Sequence, residues 1–483
     1  MNLILLALSI ILFFLLSLRH VYQFQLAEYR FVRFRSMLRD SGFFNLLFVP
    51  KFVFPAKTFR NYLIIFFAFI LLVIINVVIY NLLDMVLVLC LLNYFFGKIS
   101  IILGVIITIP FAKIYRDGKI KQAKELIQNS DTVVIGVTGS FGKSSVKEFL
   151  YSILSKKYDV EKTEGNRNTN IGVSLEIIEK IQSNPQYFIV EMGAYHIGEI
   201  EEICNIVKPT YGCLTGIGNQ HMDIFGSIQN LVRAKSELLR SLPKDGLGVV
   251  NFDNEYAEEL LDSVKSEILT YGEKENVDFR LTDISYKKRM MFVTCENEGK
   301  RYKFTTALFG RHHAINLVGC LALALNLGMS YENIQEAIAE IEPMPGKLSI
   351  HKGLNDSTIF DDGYNSNLHG FLHALDVISN FEAEKKFVFS YGIFELGKEK
   401  LPAYKKIVDF LEKNDIVLLT LDKKFLQFES DKVLWNEDET KVMDFLKENL
   451  TNKDLLLIQG RCTNDFLNEL QLKKYELPDQ ENS

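Results

Sequence analysis

The sequence predicts a chain in two parts, with transmembrane helices at the N-terminus and an α/β region with mainly parallel sheets after them. Three observations support this fold class. Three long apolar segments precede Lys113. After about residue 126, apolar β-branched runs alternate with helical stretches, the pattern of parallel sheets covered on both faces. The first of these runs ends in a glycine-rich loop.

Composition narrows the possible functions. The chain has 483 residues, 48% of them apolar, and a formal net charge of −6, so it is long enough for more than one domain. This balance lacks the basic surface that nucleic-acid binding needs, and no nucleic-acid partner is predicted. The six cysteines show no paired spacing, so we expect reduced thiols in a cytosolic environment.

The apolar segments are predicted to cross a membrane, which makes membrane lipids expected partners. Met1–Leu18 carries no charge and lacks the basic start and cleavage site of a signal peptide, although a buried core helix remains an alternative. Tyr62–Leu83 exceeds the roughly 20 residues that a span requires. Met85–Phe111 has Lys98 in its middle. It is either one tilted span or two apolar stretches arranged differently.

Basic residues in the flanking segments predict the orientation. They lie between the first two apolar segments and after the third: Arg19, Arg30, Arg33, Arg35, Arg39, Lys51, Lys57, Arg60, Lys113, Arg116, Lys119, Lys121 and Lys124. Positive loops stay in the cytoplasm. Three spans with the N-terminus outside satisfy this rule. The sequence therefore predicts a multi-pass protein of the cytoplasmic membrane whose remaining domains face the cytosol.

The rest of the chain reads as two α/β domains. We expect a membrane-anchoring region over 1–125, a central domain over 126–342 and a C-terminal domain over 343–483. A run of short alternating segments near residues 277–307 predicts a small antiparallel insert, and "PMPGK" predicts the domain junction. The predicted strands are "TVVIGV", "YFIVEM", "YGCLTGI", "LGVVNF", "STIFDD", "KKFVFSYG", "DIVLLTL" and "DLLLIQG".

The stretch "VVIGVTGSFGKSS" (Val133–Ser145) predicts a phosphate-binding loop. It approaches G-x-x-x-x-G-K-[ST], with the first glycine one place early, at Gly136. Glycines allow backbone N–H groups to converge on phosphate oxygens, and the following helix offers its positive end. Lys143 is expected to neutralise the β- and γ-phosphates, and Ser144 to ligate Mg²⁺. ATP and Mg²⁺ are therefore the predicted ligands.

Eight motifs in order make the prediction more specific. They are "GVTGSFGKSSVKEFL", "EGNRNTNIGVSLEI", "IVEMGAYHIGEI", "GIGNQHMDIFGSIQNLVRAKSELL", "GRHHAINLVGCLALA", "MPGKLSI", "FDDGYNSN" and "YGIFELGKE". Their order and spacing resemble the Mur ligase family, from about residue 130 to Arg461. Within the family, the chain most resembles the members that add D-alanyl-D-alanine to the cell-wall precursor peptide. The resemblance implies a phosphate-loop central domain and a Rossmann-like C-terminal domain.

The resemblance also implies a reaction and its residues. The family uses ATP to activate a carboxylate as an acyl phosphate, which an amine then converts to an amide. Lys143, Lys235 and His221 are the implied catalytic residues. Ser144, Glu191, His221 and Lys235 are the implied metal ligands, with Lys235 carrying a carbamate. A carboxylate such as Glu191 is a hard oxygen ligand that suits Mg²⁺.

Further nucleotide contacts follow from the same motifs. The implied residues are Gly139, Ser140, Gly142, Lys143, Ser144, Ser145, Asn166, His313, Asn316, Lys347 and Asp362. Asn168 and Asn170 share the asparagine-rich segment with Asn166. Because Asp362 belongs to the C-terminal domain, the resemblance places ATP between two domains, where closure completes the site.

The sequence departs from the family pattern at four places. Lys347 replaces the usual arginine, which keeps the charge and loses the bidentate fork. Gly216 stands where asparagine is common, and Leu368 where proline is usual. Membrane segments stand where the cell-wall enzymes have a domain that binds the uridine diphosphate end of the precursor. This last departure indicates an acceptor that is lipid-linked, membrane-bound or made by a membrane complex.

Three functions therefore stay open. The first is a membrane-anchored ATP-dependent ligase that joins a carboxylate to an amino acid or peptide amine, in envelope biosynthesis. The second is a cell-wall ligase specific for D-alanyl-D-alanine. The third is an ATP-binding membrane or transport-associated protein without ligase activity. Lys235, His221 and the "DDGYN" element favour ligation, because a simple ATPase switch needs none of them.

Overall fold

The chain divides into two compact units, the first ending at Gln122 and the second beginning at Ala123. We describe each unit by itself. The computed structural model describes residues 2–26, 29, 54–55, 57–83, 86–165, 167–218, 225–261, 263–287, 290–343, 346, 348–363, 368–393 and 400–472.

Three long helices form most of the first unit: α1 (Asn2–Leu26), α2 (Phe59–Leu83) and α3 (Val86–Gln128), whose last turns belong to the second unit. Each is long and apolar enough to cross a membrane. The third apolar segment is one continuous helix that includes Lys98. Of the two arrangements left open by the sequence, the structure has the single helix.

The three helices pack through apolar and polar contacts. Their shared core contains Phe14, Leu18, Val21, Phe24, Ile64, Ala68, Leu72, Ile101 and Val105. Asn76 Nδ2 donates to Asn93 Oδ1 at 2.7 Å, and Asn93 Nδ2 donates to Ser9 Oγ at 3.0 Å. This chain of hydrogen bonds joins all three helices. Such interhelical bonds stabilise apolar bundles by about 0.6 kcal/mol each.

The central sheet of the second unit has the strand order β2-β3-β1-β4-β5-β6-β7-β8-β9. Its strands are β1 (Val133–Thr138), β2 (Val160–Lys162), β3 (Tyr187–Glu191), β4 (Tyr211–Leu214), β5 (Leu247–Asn251), β6 (Glu267–Gly272), β7 (Phe279–Lys287), β8 (Met290–Asn297) and β9 (Lys300–Thr306). The pairs from β2 to β7 are parallel, and β7, β8 and β9 pair antiparallel. The predicted antiparallel insert therefore extends the main sheet.

Helices cover the central sheet and carry the motifs to its edge. They are α4 (Lys143–Leu154), α5 (Asn170–Lys180), α6 (Glu199–Val207), α7 (Ile228–Ser241), α8 (Ala257–Leu260), α9 (Arg311–Asn326) and α10 (Tyr331–Ala339). The core contains residues of α4 and α9 together with residues of β1, β4 and β5. Strands buried on both faces have continuous apolar runs instead of alternating ones, as β1 and β5 show.

A second sheet follows with the order β10-β11-β15-β12-β13-β14. Its strands are β10 (Ser349–Lys352), β11 (Thr358–Asp362), β12 (Lys386–Ser390), β13 (Ile416–Thr420), β14 (Val433–Trp435) and β15 (Leu455–Gln459). All pairs are parallel except β10 with β11. Its helices are α11 (Leu368–Ser379), α12 (Lys400–Lys413), α13 (Glu439–Asn449) and α14 (Asn464–Glu469).

Apolar clusters lie on both faces of the second sheet, one including residues of α11 and α12 and the other residues of α13 and α14. The predicted fold class is confirmed: apolar N-terminal helices precede two α/β layers with mainly parallel sheets. The predicted boundary at 342–343 lies between α10 and β10. The three domain ranges stay a prediction.

Candidate functional site

The phosphate loop connects β1 to α4. Gly139 has φ 152° and Gly142 has φ 83°, conformations that favour glycine. A Cβ on Gly142 would lie 2.9 Å from Asn316 Nδ2. The segment after β4 holds the loop, since Ser140 N donates to the Gly216 carbonyl oxygen at 2.8 Å. The glycines therefore allow the backbone conformation of the phosphate loop, and the hydrogen bond to the segment after β4 holds it in place.

Lys143 lies across this loop. Its Nζ donates to the carbonyl oxygens of Gly139 at 2.8 Å and Ser140 at 3.2 Å. Burial lowers the pKa of the Lys143 ammonium, and the nearby Glu191 carboxylate opposes this shift. Ser140 Oγ is buried and has no hydrogen-bond partner among the residues that the structure describes. An ammonium, an unpartnered hydroxyl and the N-terminus of α4, where Ser144 and Ser145 lie, fit an anionic phosphate.

Glu191 ends β3 beside the phosphate loop, because β3 pairs with β1 and places Glu191 opposite Val137. Its side chain is 2% exposed. Oε1 accepts a hydrogen bond from Asn168 Nδ2 at 3.0 Å. Among the described residues, Oε2 is buried without a hydrogen-bond partner, and Lys147 Nζ lies 3.5 Å from it. An unpartnered carboxylate oxygen in this position fits a hard cation such as Mg²⁺.

Lys235 lies on α7 and is 3% exposed. Burial, followed by the charge of Lys143, lowers the pKa of its amine to about 7. Glu237, Glu199 and Glu191 act in the opposite direction. A neutral amine is the form of lysine that adds carbon dioxide, so this environment fits the carbamate that the resemblance implies.

Three predicted site residues lie outside the described residues: Asn166, His221 and Lys347. Among the residues that the structure describes, no group of three or more histidines, cysteines, aspartates or glutamates could hold a metal ion. The implied metal set includes Ser144 and Lys235, which are not residues of those types. Its completion by His221 stays a prediction.

His313 and Asn316 lie in the first turns of α9. Asn316 approaches Gly142, as above, and the His313 ring packs edge-on against Phe149 with centroids 5.6 Å apart. A cavity of about 320 Å³ opens beside this pair. Its lining residues are Ser145, Glu148, Phe149, Ser152, Leu308, His313, Glu340, Ile341 and Glu342. The cavity therefore lies along α4, next to the phosphate loop.

Asp362 lies at the carboxyl end of β11, buried, at the kind of sheet edge where α/β proteins bind ligands. Helix α11, which packs on the second sheet, contacts the start of α9. His373 Nε2 of α11 lies 2.9 Å from His312 Nδ1. Phe309 also packs edge-on against Phe360 of β11. The role of Asp362 in nucleotide binding stays a prediction.

The structure adds residues that the motifs did not single out. Thr215 Oγ1 donates to the Phe141 carbonyl oxygen at 2.5 Å and supports the phosphate loop. Asn254 Oδ1 accepts from Ile217 N at 2.7 Å. Lys147 contacts Glu191. Lys147 follows Lys143 by one helical turn, and residues i and i+4 share a helix face, so this spacing is a signal that could have identified Lys147.

Comparisons with known proteins agree with this architecture. A family model described as Mur ligase middle domain matches residues 137–324. The UDP-N-acetylmuramoyl-tripeptide–D-alanyl-D-alanine ligase of Borreliella burgdorferi is 31% identical over 356 residues, 70% of this chain and 74% of that protein. The ligase of the same name from Bacillus subtilis is 27% identical over 349 residues, 70% and 75% of the two chains.

A solved structure extends the comparison to the fold. The MurF ligase from Thermotoga maritima in complex with ADP has a TM-score of 0.64 at 24% identity, covering 74% of this chain and 82% of that chain. Together with the curated relatives, this defines an ATP-dependent ligase that forms a carbon–nitrogen bond. The chain belongs to the Mur ligase family and is of the MurF type. The resemblance predicted from the motifs is confirmed.

Proposed function

We propose that this protein is a membrane-anchored ligase that joins D-alanyl-D-alanine to the peptide carboxylate of a cell-wall precursor. The names of the curated relatives support the two substrates. The observation that carries the proposal is the cluster of Lys143, Glu191 and Lys235 at the carboxyl edge of the central sheet. It combines a phosphate-binding ammonium, an unpartnered carboxylate oxygen and a buried amine.

This cluster suits phosphoryl transfer to a carboxylate. Lys143 and the N-terminus of α4 hold the phosphates and stabilise negative charge as it moves. Ser144, Glu191, His221 and carbamylated Lys235 would hold Mg²⁺, which supplies positive charge at the γ-phosphate. The acceptor carboxylate attacks the γ-phosphorus and ADP leaves. The D-alanyl-D-alanine amine then attacks the acyl carbon, inorganic phosphate leaves, and the amine releases a proton.

The nucleoside portion of ATP is proposed to occupy the cavity beside Phe149 and His313. The cavity adjoins the first turns of α4, so a nucleotide whose phosphates meet the loop can place its base there. Asn316 and Asp362 are proposed to approach the nucleotide from α9 and from the second sheet. Lys347 is proposed to supply a further positive charge.

The acceptor is proposed to be attached to a lipid. The three long apolar helices support this choice, since they occupy the part of the chain that precedes the family match. The test is a ligation assay with detergent-solubilised protein, ATP, Mg²⁺ and D-alanyl-D-alanine. Parallel reactions contain a lipid-linked or a UDP-linked precursor tripeptide, and mass spectrometry detects the product.

The outcomes of this assay separate the open functions. Product from the lipid-linked precursor supports the whole proposal. Product from the UDP-linked precursor alone supports the ligase and contradicts the lipid-linked acceptor. ADP formation that needs neither precursor nor dipeptide, without amide product, favours an ATPase of the membrane or transport class. Omitting D-alanyl-D-alanine is the control in every reaction.

We expect reporter fusions to place the N-terminus outside and the catalytic domains in the cytosol. A periplasmic-type reporter such as alkaline phosphatase should be active after Leu83 and inactive after Lys124, because the basic segments stay inside. A cytosolic reporter at the same two positions should give the reverse pattern. Alkaline phosphatase activity after Lys124 would contradict both the topology and the access to cytosolic ATP.

A further inference from the structure

Lys147 is a buried lysine with an unusual set of neighbours. It lies on α4, one turn after Lys143, and its side chain is 1% exposed. Its Nζ lies 3.5 Å from Glu191 Oε2 and 3.5 Å from Glu148 Oε1. It donates a hydrogen bond to the Gly165 carbonyl oxygen at 3.1 Å. One ammonium therefore contacts the helix, the end of β3 and the segment after β2.

The charges explain why a lysine is needed here. Glu191 and Glu148 each place a carboxylate oxygen 3.5 Å from the Lys147 Nζ. Glu148 also pairs with Lys162. Leaving a buried charge without a partner is strongly destabilising. Within the part of the chain that the structure describes, Glu191 Oε2 has no hydrogen bond, and the Lys147 ammonium at 3.5 Å is the cation in direct contact with it.

The third contact of Lys147 connects Glu191 to the asparagine-rich segment 164–170. Gly165 receives the hydrogen bond from Lys147, while Asn168 of the same segment donates to the other oxygen of Glu191. The Asn168 carbonyl oxygen also accepts from Gly193 N at 2.8 Å, just beyond β3. The position of the Glu191 carboxylate and the positions of Gly165 and Asn168 are therefore fixed together.

We propose that Lys147 is a positioning residue that neutralises Glu191 until Mg²⁺ binds and that sets the metal affinity of this carboxylate. The proposal rests on the proposed function, because it takes Glu191 as a metal ligand. Lys147 holds the carboxylate in place in the metal-free protein. The same ammonium opposes the arriving divalent cation, so it weakens metal binding and makes binding reversible.

The consequence is measurable as a change in metal response. In Lys147→Met, the metal-free protein should unfold at a lower temperature, because Glu191 loses its counter-charge. Added Mg²⁺ should raise the unfolding temperature by more than it does in the wild type. The dissociation constant for Mn²⁺, measured by electron paramagnetic resonance, should fall about tenfold, because the variant lacks the positive charge 3.5 Å from Glu191 Oε2 that repels the cation.

Two variants control for structural damage. Lys180→Met removes a lysine that contacts Glu164 and Glu176 near the same segment without contacting Glu191. It should lower stability and leave the Mn²⁺ dissociation constant unchanged. Lys147→Arg keeps the positive charge and should restore the wild-type metal response.

The double variant Lys147→Met with Glu191→Gln keeps the test decisive if Lys147→Met does not fold. Removing both charges should restore folding, since no buried carboxylate is left without a partner at this position. Failure of the double variant to fold would overturn the proposal, as would an unchanged Mn²⁺ dissociation constant in a folded Lys147→Met. If the wild type itself binds neither Mg²⁺ nor Mn²⁺, the proposed metal function fails instead.

Discussion

Lys143→Ala is expected to abolish ATP turnover. The ammonium of Lys143 lies over the phosphate loop and is its one described side-chain cation, held by the carbonyl oxygens of Gly139 and Ser140. Removing one preorganised electrostatic contact to a transferring phosphoryl group costs on the order of 10²–10³ in rate. The measurement is ADP formation by purified, detergent-solubilised variant in the presence of both ligation substrates.

Lys413→Ala is the matched control, because Lys413 is an exposed lysine at the end of α12. It should retain wild-type turnover. Both variants should keep the helical circular dichroism and the elution volume of the wild type, since the apolar helices of the first unit do not involve Lys143. Turnover by Lys143→Ala at the wild-type rate would show that the loop does not bind the phosphates of ATP.

Lys235→Ala is expected to cripple amide formation, with a rate loss also on the order of 10²–10³. The proposed carbamate converts a cation into an anion beside the γ-phosphate, and alanine cannot form it. Short carboxylic acids added to the assay should partly restore ligation by filling the vacated anionic position. An exposed helix lysine would instead change stability by no more than roughly 0.5 kcal/mol and leave the rate intact.

The same residue gives a pH dependence with a defined sign. Burial lowers the pKa of the Lys235 amine from 10.5 to about 7, so the folded protein releases this proton earlier than the unfolded chain. Between pH 7 and 10.5 the unfolded chain binds more protons, and the contribution of Lys235 to stability rises with pH. Lys235→Ala should lose this rise. Wild-type ligation by Lys235→Ala would contradict the carbamate assignment.

The sequence predicted most of the fold because its strands are buried on both faces. In β15 all five residues are buried, and the run "LLLIQ" is unmistakable. Four strands escaped prediction: β2, β10 and β14 have three or four residues and are too short for a periodic pattern. β6 has six residues, but only its last two are buried, so it lacks the continuous apolar run of the other parallel strands. The antiparallel strands were recognised, but their place in the main sheet depends on the pairing of β7 with β6, which no local pattern specifies.

The site was predictable where its residues are adjacent in the chain. Lys143 and Ser144 follow from one loop, and Glu191 from the end of one strand. The burial of Lys235 was not predictable from local pattern, because α7 is covered over most of its surface and its sequence contains polar side chains at buried positions such as Ser236 and Glu237. Lys147 was missed because its partner, Glu191, lies on a distant strand.

The position of β1 in its sheet determines when nucleotide binding can begin during protein synthesis. β1 lies between β3 and β4. Its hydrogen bonds to both neighbours can therefore form only after Leu214, the last residue of β4, has been translated. At about 5–20 residues per second, this takes roughly 4–15 s after β1 itself has been translated. The apolar helices are translated earlier than β1. A nascent chain has therefore translated all three apolar helices before its phosphate loop is framed by both neighbouring strands.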